Sequence, residues 1–276
     1  MPTREILRVI NREDARVVPA VARELPRIAR AVDAIVRALQ RGGRLIYVGA
    51  GTSGRLATLD AAECPPTFGV SPGTVQAVVA GGRRALTRAI EGAEDSAARG
   101  ARDLAAKKVT ANDVVVGLTA SGFTPYVLGA LGYARRRGAT TVGVTSNPRS
   151  PLARLAAITI APRVGAEVIA GSTRMKAGTT QKLVLNMLST AAMARLGRVY
   201  DNWMIDVTLT NRKLRQRGLR ILEQASGANV LEAKRALRQA GHDLRVALVM
   251  LKTGVDAAEA KRRLRAAQGN LRKALV

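Results

Sequence analysis

Residues 44–68, RLIYVGAGTSGRLATLDAAECPPTF, decide the fold. The β-rich run 44–48 stops at Gly49-Ala50-Gly51-Thr52-Ser53-Gly54-Arg55, and a helical stretch, 55–63, follows until Cys64-Pro65-Pro66 is expected to break it. A strand, a glycine-rich turn and a helix in that order open a βαβ unit. Working outward, further strands are expected at 75–79, 114–118, 141–145 and 157–161, with helices at 84–98, 125–137 and 151–155 between them. This alternation predicts a parallel sheet covered by helices on both faces. Ahead of it, 4–12 and 18–40 read as amphipathic helices. Val21, Leu25, Ile28, Val32, Ile35 and Leu39 recur at helical spacing, and Pro26 is placed to kink or restart the second. Beyond the sheet come a long helix at 174–196 and another near 208–225. The expectation is an α/β fold, a parallel sheet flanked by helices in a three-layer sandwich, over 1–206, with a small all-helical appendage over 207–276.

The appendage contains a repeat. Residues 232–248 (EAKRALRQAGHDLRVAL) and 259–275 (EAKRRLRAAQGNLRKAL) align at a spacing of 27, with 11 of 17 positions identical. Each copy reads as a helix, a turn at Gly241 or Gly269 and the start of a second helix, so that two half-units bury their Leu and Ala faces against each other. Two readings stand for it: a packing or dimer-supporting module with a solvated basic face, and a surface for nucleic acid or another partner.

Composition narrows the function classes. The 276 residues carry 45 Lys and Arg against 20 Asp and Glu, a net charge of +25. The cations are mostly Arg and are spread along the chain, which an Arg-biased source explains as well as a polyanionic partner does. Two Phe, four Tyr and one Trp leave few platforms on which bases could stack, so nucleic acid is not the expected partner. A hydrophobic content of 47% is enough for a buried core. One cysteine, Cys64, and one histidine, His242, permit neither an intrachain disulfide nor a Cys/His zinc site. No stretch approaches the roughly 18–20 apolar residues that a membrane span needs, and the N-terminus mixes charges of both signs. The chain therefore reads as a cytoplasmic, metal-free protein with no export signal and no membrane anchor.

Three hydroxyl-bearing loops are candidate anion sites. Gly49–Gly54 follows the first strand, and a glycine-rich turn entering a helix lets backbone N–H groups and the helix dipole meet a phosphate. A dinucleotide fingerprint fails here: Gly49, Gly51 and Gly54 match G-x-G-x-x-G, yet about 20 residues on the second strand runs into Ala80-Gly81-Gly82 instead of an acid. A mononucleotide P-loop fails as well, because no Gly-Lys-Ser/Thr follows. The second candidate is Thr119-Ala120-Ser121-Gly122-Phe123-Thr124-Pro125, and the third is Gly171-Ser172-Thr173-Arg174-Met175-Lys176. Each alone reads equally as a capped turn. Together they point to the C-terminal edge of the sheet, where open α/β folds bind ligands, and to a small sugar phosphate as the guest.

Two acidic positions stand out. Glu63 sits where a helix ends, against the helix dipole, so helix stability supplies no reason for it there. An ordinary exposed glutamate and a functional one both remain open. Glu91 and Glu94 lie three apart on the helix expected at 84–98 and read first as a solvated acidic face.

The segments 49–68 (GAGTSGRLATLDAAECPPTF), 91–96 (EGAEDS), 113–129 (DVVVGLTASGFTPYVLG) and 164–188 (VGAEVIAGSTRMKAGTTQKLVLNML) resemble the N-acetylmuramic acid 6-phosphate etherases, a family on the sugar isomerase (SIS) fold. Tyr200-Asp201-Asn202, residues 206–214 and the helical tail extend the resemblance over nearly the whole chain. It implies cleavage of the D-lactyl ether of N-acetylmuramic acid 6-phosphate, giving N-acetylglucosamine 6-phosphate and D-lactate in the recycling of peptidoglycan sugars. By the same resemblance Glu63 matches the proton donor, and Glu94 the second catalytic glutamate, assigned as the C2 base. Ser53, Ser121 and Thr124 would hold the phosphate, with Gly51, Thr52, Gly122, Ser172, Arg174 and Lys176 as further substrate-binding candidates. No metal or organic cofactor is implied, and a homodimer is. The chain departs from the family at Phe123, where members commonly carry Arg, and in placing Met1-Pro2-Thr3 almost directly before the first helix, where members carry a longer Thr-, Glu-, Arg- and Asn-rich lead-in. Two alternatives share the fold: a sugar-phosphate-binding regulator of the glucokinase regulatory protein type, which needs no carboxylate pair and carries two such domains, and an aldose–ketose sugar-phosphate isomerase.

Overall fold

Parallel strands buried on both faces should be apolar along their length, and the two central strands of this sheet, LIYVG and VVVGL, are built that way. The computed structural model describes residues 1–207, 209 and 212–276. Five strands, β1 (Leu45–Gly49), β2 (Val75–Val79), β3 (Val114–Leu118), β4 (Thr140–Val144) and β5 (Ile158–Ile160), form one parallel sheet in the order β2-β1-β3-β4-β5. All five residues of β1 and of β3 are buried. Gly49 pairs with both Val79 and Leu118, and Leu118 with Val144, so four strands finish on one line. The loops that follow them leave from a common edge.

Helices α1 (Thr3–Asp14), α2 (Val17–Ala22), α3 (Leu25–Gln40), α4 (Gly51–Phe68), α5 (Ala97–Ala105), α6 (Pro125–Arg136), α7 (Pro151–Leu155) and α8 (Lys176–Arg195) surround the sheet. On one face Ile46, Val48, Val78 and Val115 pack with Leu104 of α5, Val127 and Leu131 of α6 and Leu152 of α7. Tyr47 points the other way, where its hydroxyl donates to Asp60 of α4 at 2.8 Å, and the Ser189 hydroxyl of α8 reaches the second oxygen of the same carboxylate at 3.1 Å. Burial pushes the Asp60 carboxyl above its ordinary range, against these two bonds and the nearby Lys182 charge. The three-layer expectation holds: a parallel sheet with helices on both sides.

The elements depart from the sequence reading in three places. The single helix expected over 18–40 is two, because the chain turns at Arg23-Glu24 and Pro26 sits in the first turn of α3, where its missing N–H is harmless. Pro65-Pro66 does not stop α4, which runs on to Phe68; only its last turn forfeits hydrogen bonds, and Gly69, at φ +61°, closes it by donating to the Pro65 carbonyl at 3.0 Å. The helix expected over 84–98 is replaced by a 3₁₀ turn, Gly82–Leu86, a run of tight turns around Gly92 (φ +68°), and then α5, opened by the Ser96 side chain accepting the Arg99 N–H. Ser96 is the start signal that the apolar spacing hid.

Packing divides the chain into two compact units, Met1–Ala62 with Pro72–Ser189, and Glu63–Ser71 with Thr190–Val276. The boundary expected at 206/207 falls inside the second unit, which also takes the last turn of α4. In that unit α9 (Arg212–Ser226), α10 (Val230–Gln239), α11 (Leu244–Thr253), α12 (Ala257–Ala266) and α13 (Leu271–Ala274) bury Ile221, Leu222, Leu237, Leu248, Leu264 and Leu271 in one core. Residues 208, 210 and 211, where the helix near 208–225 was expected to begin, lie outside the described residues. The sequence repeat is a structural one. Asn229 and Asp256 cap the first helix of each copy, and Asp243 and Asn270 cap the second. Both turn positions are left-handed in both copies: Gly241 and His242 at φ +65°, Gln268 at +53° and Gly269 at +79°. At each aligned position one copy has glycine and the other does not, so the turn geometry outlasts the residue that favours it.

At the base of the sheet Asp113 ties β1 to β3. It accepts the Arg44 backbone N–H at 2.8 Å, the Arg44 guanidinium at 2.7 and 3.0 Å, and the Thr110 N–H at 2.9 Å, while Arg44 also bonds the Lys107 and Lys108 carbonyls. Burial opposes the charge on this carboxyl, but the hydrogen bonds from Arg44 and Thr110 prevail and hold it below its ordinary value of 3.8. Removing it leaves a guanidinium and two N–H groups short of an acceptor. Asp113→Ala is expected to lower unfolding free energy by about 2–4 kcal/mol in urea titrations. Because the folded-state value is depressed, the contribution is full above about pH 4 and is lost as pH falls below it, a dependence absent in the variant.

Candidate active site

The first loop leaves β1 at Gly49 and enters α4 at Gly51, which sits at φ +52°. Glycine is required by contact as well. A Cβ at Gly49 would lie 2.7 Å from the Gly54 nitrogen, and one at Gly54 would lie 2.6 Å from a methyl of Val79. Ser53 is nearly buried, and its hydroxyl, like that of Thr52, has no hydrogen-bond partner among the described residues. Both are unspent donors at a helix N-terminus. Arg55, next in the chain, instead bonds the Leu86 and Arg88 carbonyls at 3.2 and 3.1 Å and so holds the 82–90 segment against this loop.

The second loop follows β3, the strand next to β1, and is organised by Thr119, which the sequence reading passed over. Its hydroxyl is buried, lies 2.7 Å from that of Thr124 and 3.4 Å from that of Ser121, and accepts the Gly122 N–H at 3.3 Å. Ser121 and Phe123 are exposed, and Thr124 is half-buried. Gly122 (φ +77°) passes so close to the loop after β4 that a Cβ would lie 2.1 Å from the Ser150 hydroxyl. The same β4 loop brings Ser146 and Asn147 to this edge: the Ser146 N–H donates to the Ala120 carbonyl at 3.0 Å. Nothing in their spacing marked them, because they lie beside the site only through the strand order.

Glu94 sits in the turns before α5, exposed, and its carbonyl accepts the Tyr126 N–H at 3.0 Å from the first turn of α6. The structure therefore brings Glu94 and the Ser121/Thr124 loop together. The staple is rigid, because α5 crosses α6 at glycines: a Cβ at Gly100 would lie 1.9 Å from the Tyr126 carbonyl oxygen, and one at Gly129 would lie 2.0 Å from that of Ala97. The Tyr126 hydroxyl is fixed as a donor to Asp103 at 2.7 Å, with burial first and Asp103 second pushing its ionisation far above the ordinary range.

The third stretch lies beside the first loop: a Cβ at Gly178, in the opening turn of α8, would be 3.5 Å from the Thr52 methyl. Ser172 is half-buried and Arg174 exposed. Lys176 does not fit its expected part as a free cation, since it is 1% exposed and its ammonium bonds the Glu13 carboxylate at 2.6 Å. Hydrogen bonds from Lys176 and then Arg16 hold Glu13 below its ordinary value. The α8 N-terminus is also occupied: Glu167 accepts the Lys176 and Ala177 N–H groups at 3.0 and 2.9 Å, a cap supplied from outside the helix. Glu63 belongs to the second unit. It is exposed on α4, five residues short of the helix end at Phe68 and so not at the terminus that the sequence suggested, and lines a hollow of about 490 Å³ with Pro66, Thr67, Met204, Val207 and Arg217. No group of His, Cys, Asp and Glu among the described residues is arranged to hold a metal ion.

Residues 27–135 match the glucokinase regulatory protein N-terminal SIS domain family, and residues 92–191 match the SIS domain family. A protein of Pectobacterium atrosepticum named N-acetylmuramic acid 6-phosphate etherase is 52% identical over 251 residues, which cover 91% of this chain and 83% of that protein. One of the same name from an Enterobacter species is 54% identical, covering 92% and 86%. The chain belongs to the N-acetylmuramic acid 6-phosphate etherase family. Solved structures support the fold: the phosphoheptose isomerases of Francisella tularensis and Neisseria gonorrhoeae superpose with TM-scores of 0.56 and 0.54 at 18% and 16% identity, each covering 70% of this chain. In the etherase chain, the hydroxyls of the second loop depend on Thr119. Thr119→Val should weaken binding of inorganic phosphate about tenfold in calorimetric titration while leaving the melting temperature within a few degrees, since it removes the hydrogen bonds that aim Ser121 and Thr124.

Proposed function

We propose that the chain cleaves the D-lactyl ether of N-acetylmuramic acid 6-phosphate, acting as a carbon–oxygen lyase. The observation that carries this reading is 52–54% identity across about nine-tenths of the chain to proteins named for that activity. The structural neighbours on the isomerase side, at 16–18% identity, share the fold alone.

The chemistry uses two carboxyl groups. With the sugar ring open, the C1 aldehyde acidifies the proton on C2. A carboxylate takes that proton, the C2–C3 double bond forms, and the C3–O bond breaks as the departing lactate oxygen receives a proton from a carboxylic acid. Water then adds at C3 and a proton returns to C2, so the sum is ether plus water to N-acetylglucosamine 6-phosphate plus D-lactate. One group must act as base while the other acts as acid. We assign Glu94 as the base and Glu63 as the proton donor. The phosphate is held by the backbone of Gly51 and Gly122 and by the hydroxyls of Thr52, Ser53, Ser121 and Thr124, with Ser172 and Arg174 as further contacts. Lys176, already paired with Glu13, is left out of that set. The reading includes a homodimer in the cytoplasm, acting in peptidoglycan sugar recycling, and a charged sugar phosphate suits a compartment it cannot leave by diffusion. Among the described residues no helix is long and apolar enough to cross a membrane.

The purified protein is expected to release stoichiometric D-lactate and N-acetylglucosamine 6-phosphate from N-acetylmuramic acid 6-phosphate. Glu63→Gln and Glu94→Gln should each lower kcat by about 10²–10⁴-fold, the range for removal of a positioned acid or base. A sugar phosphate recovered at unchanged mass would instead indicate an isomerase, and binding without conversion would indicate a regulator.

A further inference from the structure

The hollow beside Glu63 contains a second charged group that the chemistry above leaves unused. Arg217, on the second turn of α9 in the same unit, also lines it. Glu63 and Arg217 share this space, yet they form no ion pair, and neither has a hydrogen-bond or salt-bridge partner among the described residues. Arg217 also shares its helix face with Lys213 and Arg220, which line the adjoining hollow with it. An acid and an arginine that face one space without neutralising each other can each meet a different part of one ligand.

We propose that Arg217 binds the carboxylate of the lactyl arm and so sets the ether oxygen before Glu63. This rests on the etherase reading, with Glu63 as proton donor. In the substrate, a single carbon joins the lactyl carboxylate to the ether oxygen, so a group holding one fixes the position of the other to within a bond rotation. Guanidinium is suited to the task because its paired N–H donors match the two carboxylate oxygens and its charge persists at every working pH. It also offsets a second charge. Lactate leaves as a carboxylate with negative charge growing on the neighbouring oxygen, and a fixed cation beside it makes both the departure and the proton transfer from Glu63 easier. Of the residues named for the hollow, Pro66, Thr67, Met204 and Val207 carry no charge, which leaves Arg217 to meet the carboxylate.

The test compares N-acetylmuramic acid 6-phosphate with the same sugar phosphate whose lactyl carboxylate is converted to the primary amide, following formation of N-acetylglucosamine 6-phosphate from each. The wild type is expected to favour the acid over the amide in kcat/KM by roughly 10²-fold. In Arg217→Ala the acid should lose about that factor and the amide little, so that the preference vanishes, and Arg217→Lys should restore part of it. If Arg217→Ala slows both ethers alike and keeps the wild-type preference, the residue has only a structural part and the proposal is overturned. A wild type that converts neither ether, while binding both, overturns the etherase reading and this inference with it.

Discussion

The ion pair between Arg44 and Asp113 decides where everything else can be. It lies just before β1 and β3 and bonds through both side chains and the Arg44 backbone N–H, while the Arg44 carbonyl accepts the neighbouring Val114 N–H. Fixing the two strands at their base fixes their register, and register in a parallel sheet places the far ends: Gly49 comes to rest beside Leu118. The two hydroxyl loops therefore start from neighbouring strands at equal height. A slip of one residue would turn every side chain of a strand to the opposite face and part the loops. The pair is bidentate and almost buried on its acidic side, so geometry as well as attraction is specified, which an exposed pair would not achieve.

From that edge the constraint passes to glycines. Gly49 and Gly54 let β1 and α4 approach within contact of bare backbone, and Gly100 and Gly129 do the same for α5 and α6. These approaches leave little slack around the 91–95 turns: the Tyr126 N–H holds the Glu94 carbonyl, and the Arg55 guanidinium holds the carbonyls of Leu86 and Arg88 just ahead of them. Glu94 thus owes its place to helix packing several residues away. The base proposed at Glu94 would need such support, because an error of about an ångström in position can lose a large part of a rate.

The strands and the first two loops were legible because each depends on near-neighbours in sequence: β-branched runs buried on both faces, then glycine, then a hydroxyl. The helix expected through Glu91 and Glu94 was misread because apolar spacing continues across Gly92, where a left-handed residue and the Ser96 cap end one segment and begin another. The run of α4 through Pro65 and Pro66 was illegible for the opposite reason, since a local breaker was outweighed by the packing of its last turn around buried Phe68. Thr119 and Glu167 act through loop conformation rather than spacing, and the Glu13–Lys176 pair joins residues 163 positions apart. Periodicity carries no information at that range. The carboxylate roles came from resemblance alone, because a glutamate at a helix end looks the same whether it works or not.

Charge completes the account. In a chain with 45 cations and 20 acids, an acid that needs a partner has many within reach. Several of the carboxylates that hold the fold have taken one: Asp113 with Arg44, Asp206 with Arg198 and Arg245, Glu24 with Arg27, Glu13 with Arg16 and Lys176. Glu63 and Glu94 have none among the described residues, although Arg217 lines the same hollow as the first. In so basic a protein, an acid and an arginine that line one hollow without an ion pair between them leave the guanidinium open to an anion from outside the chain.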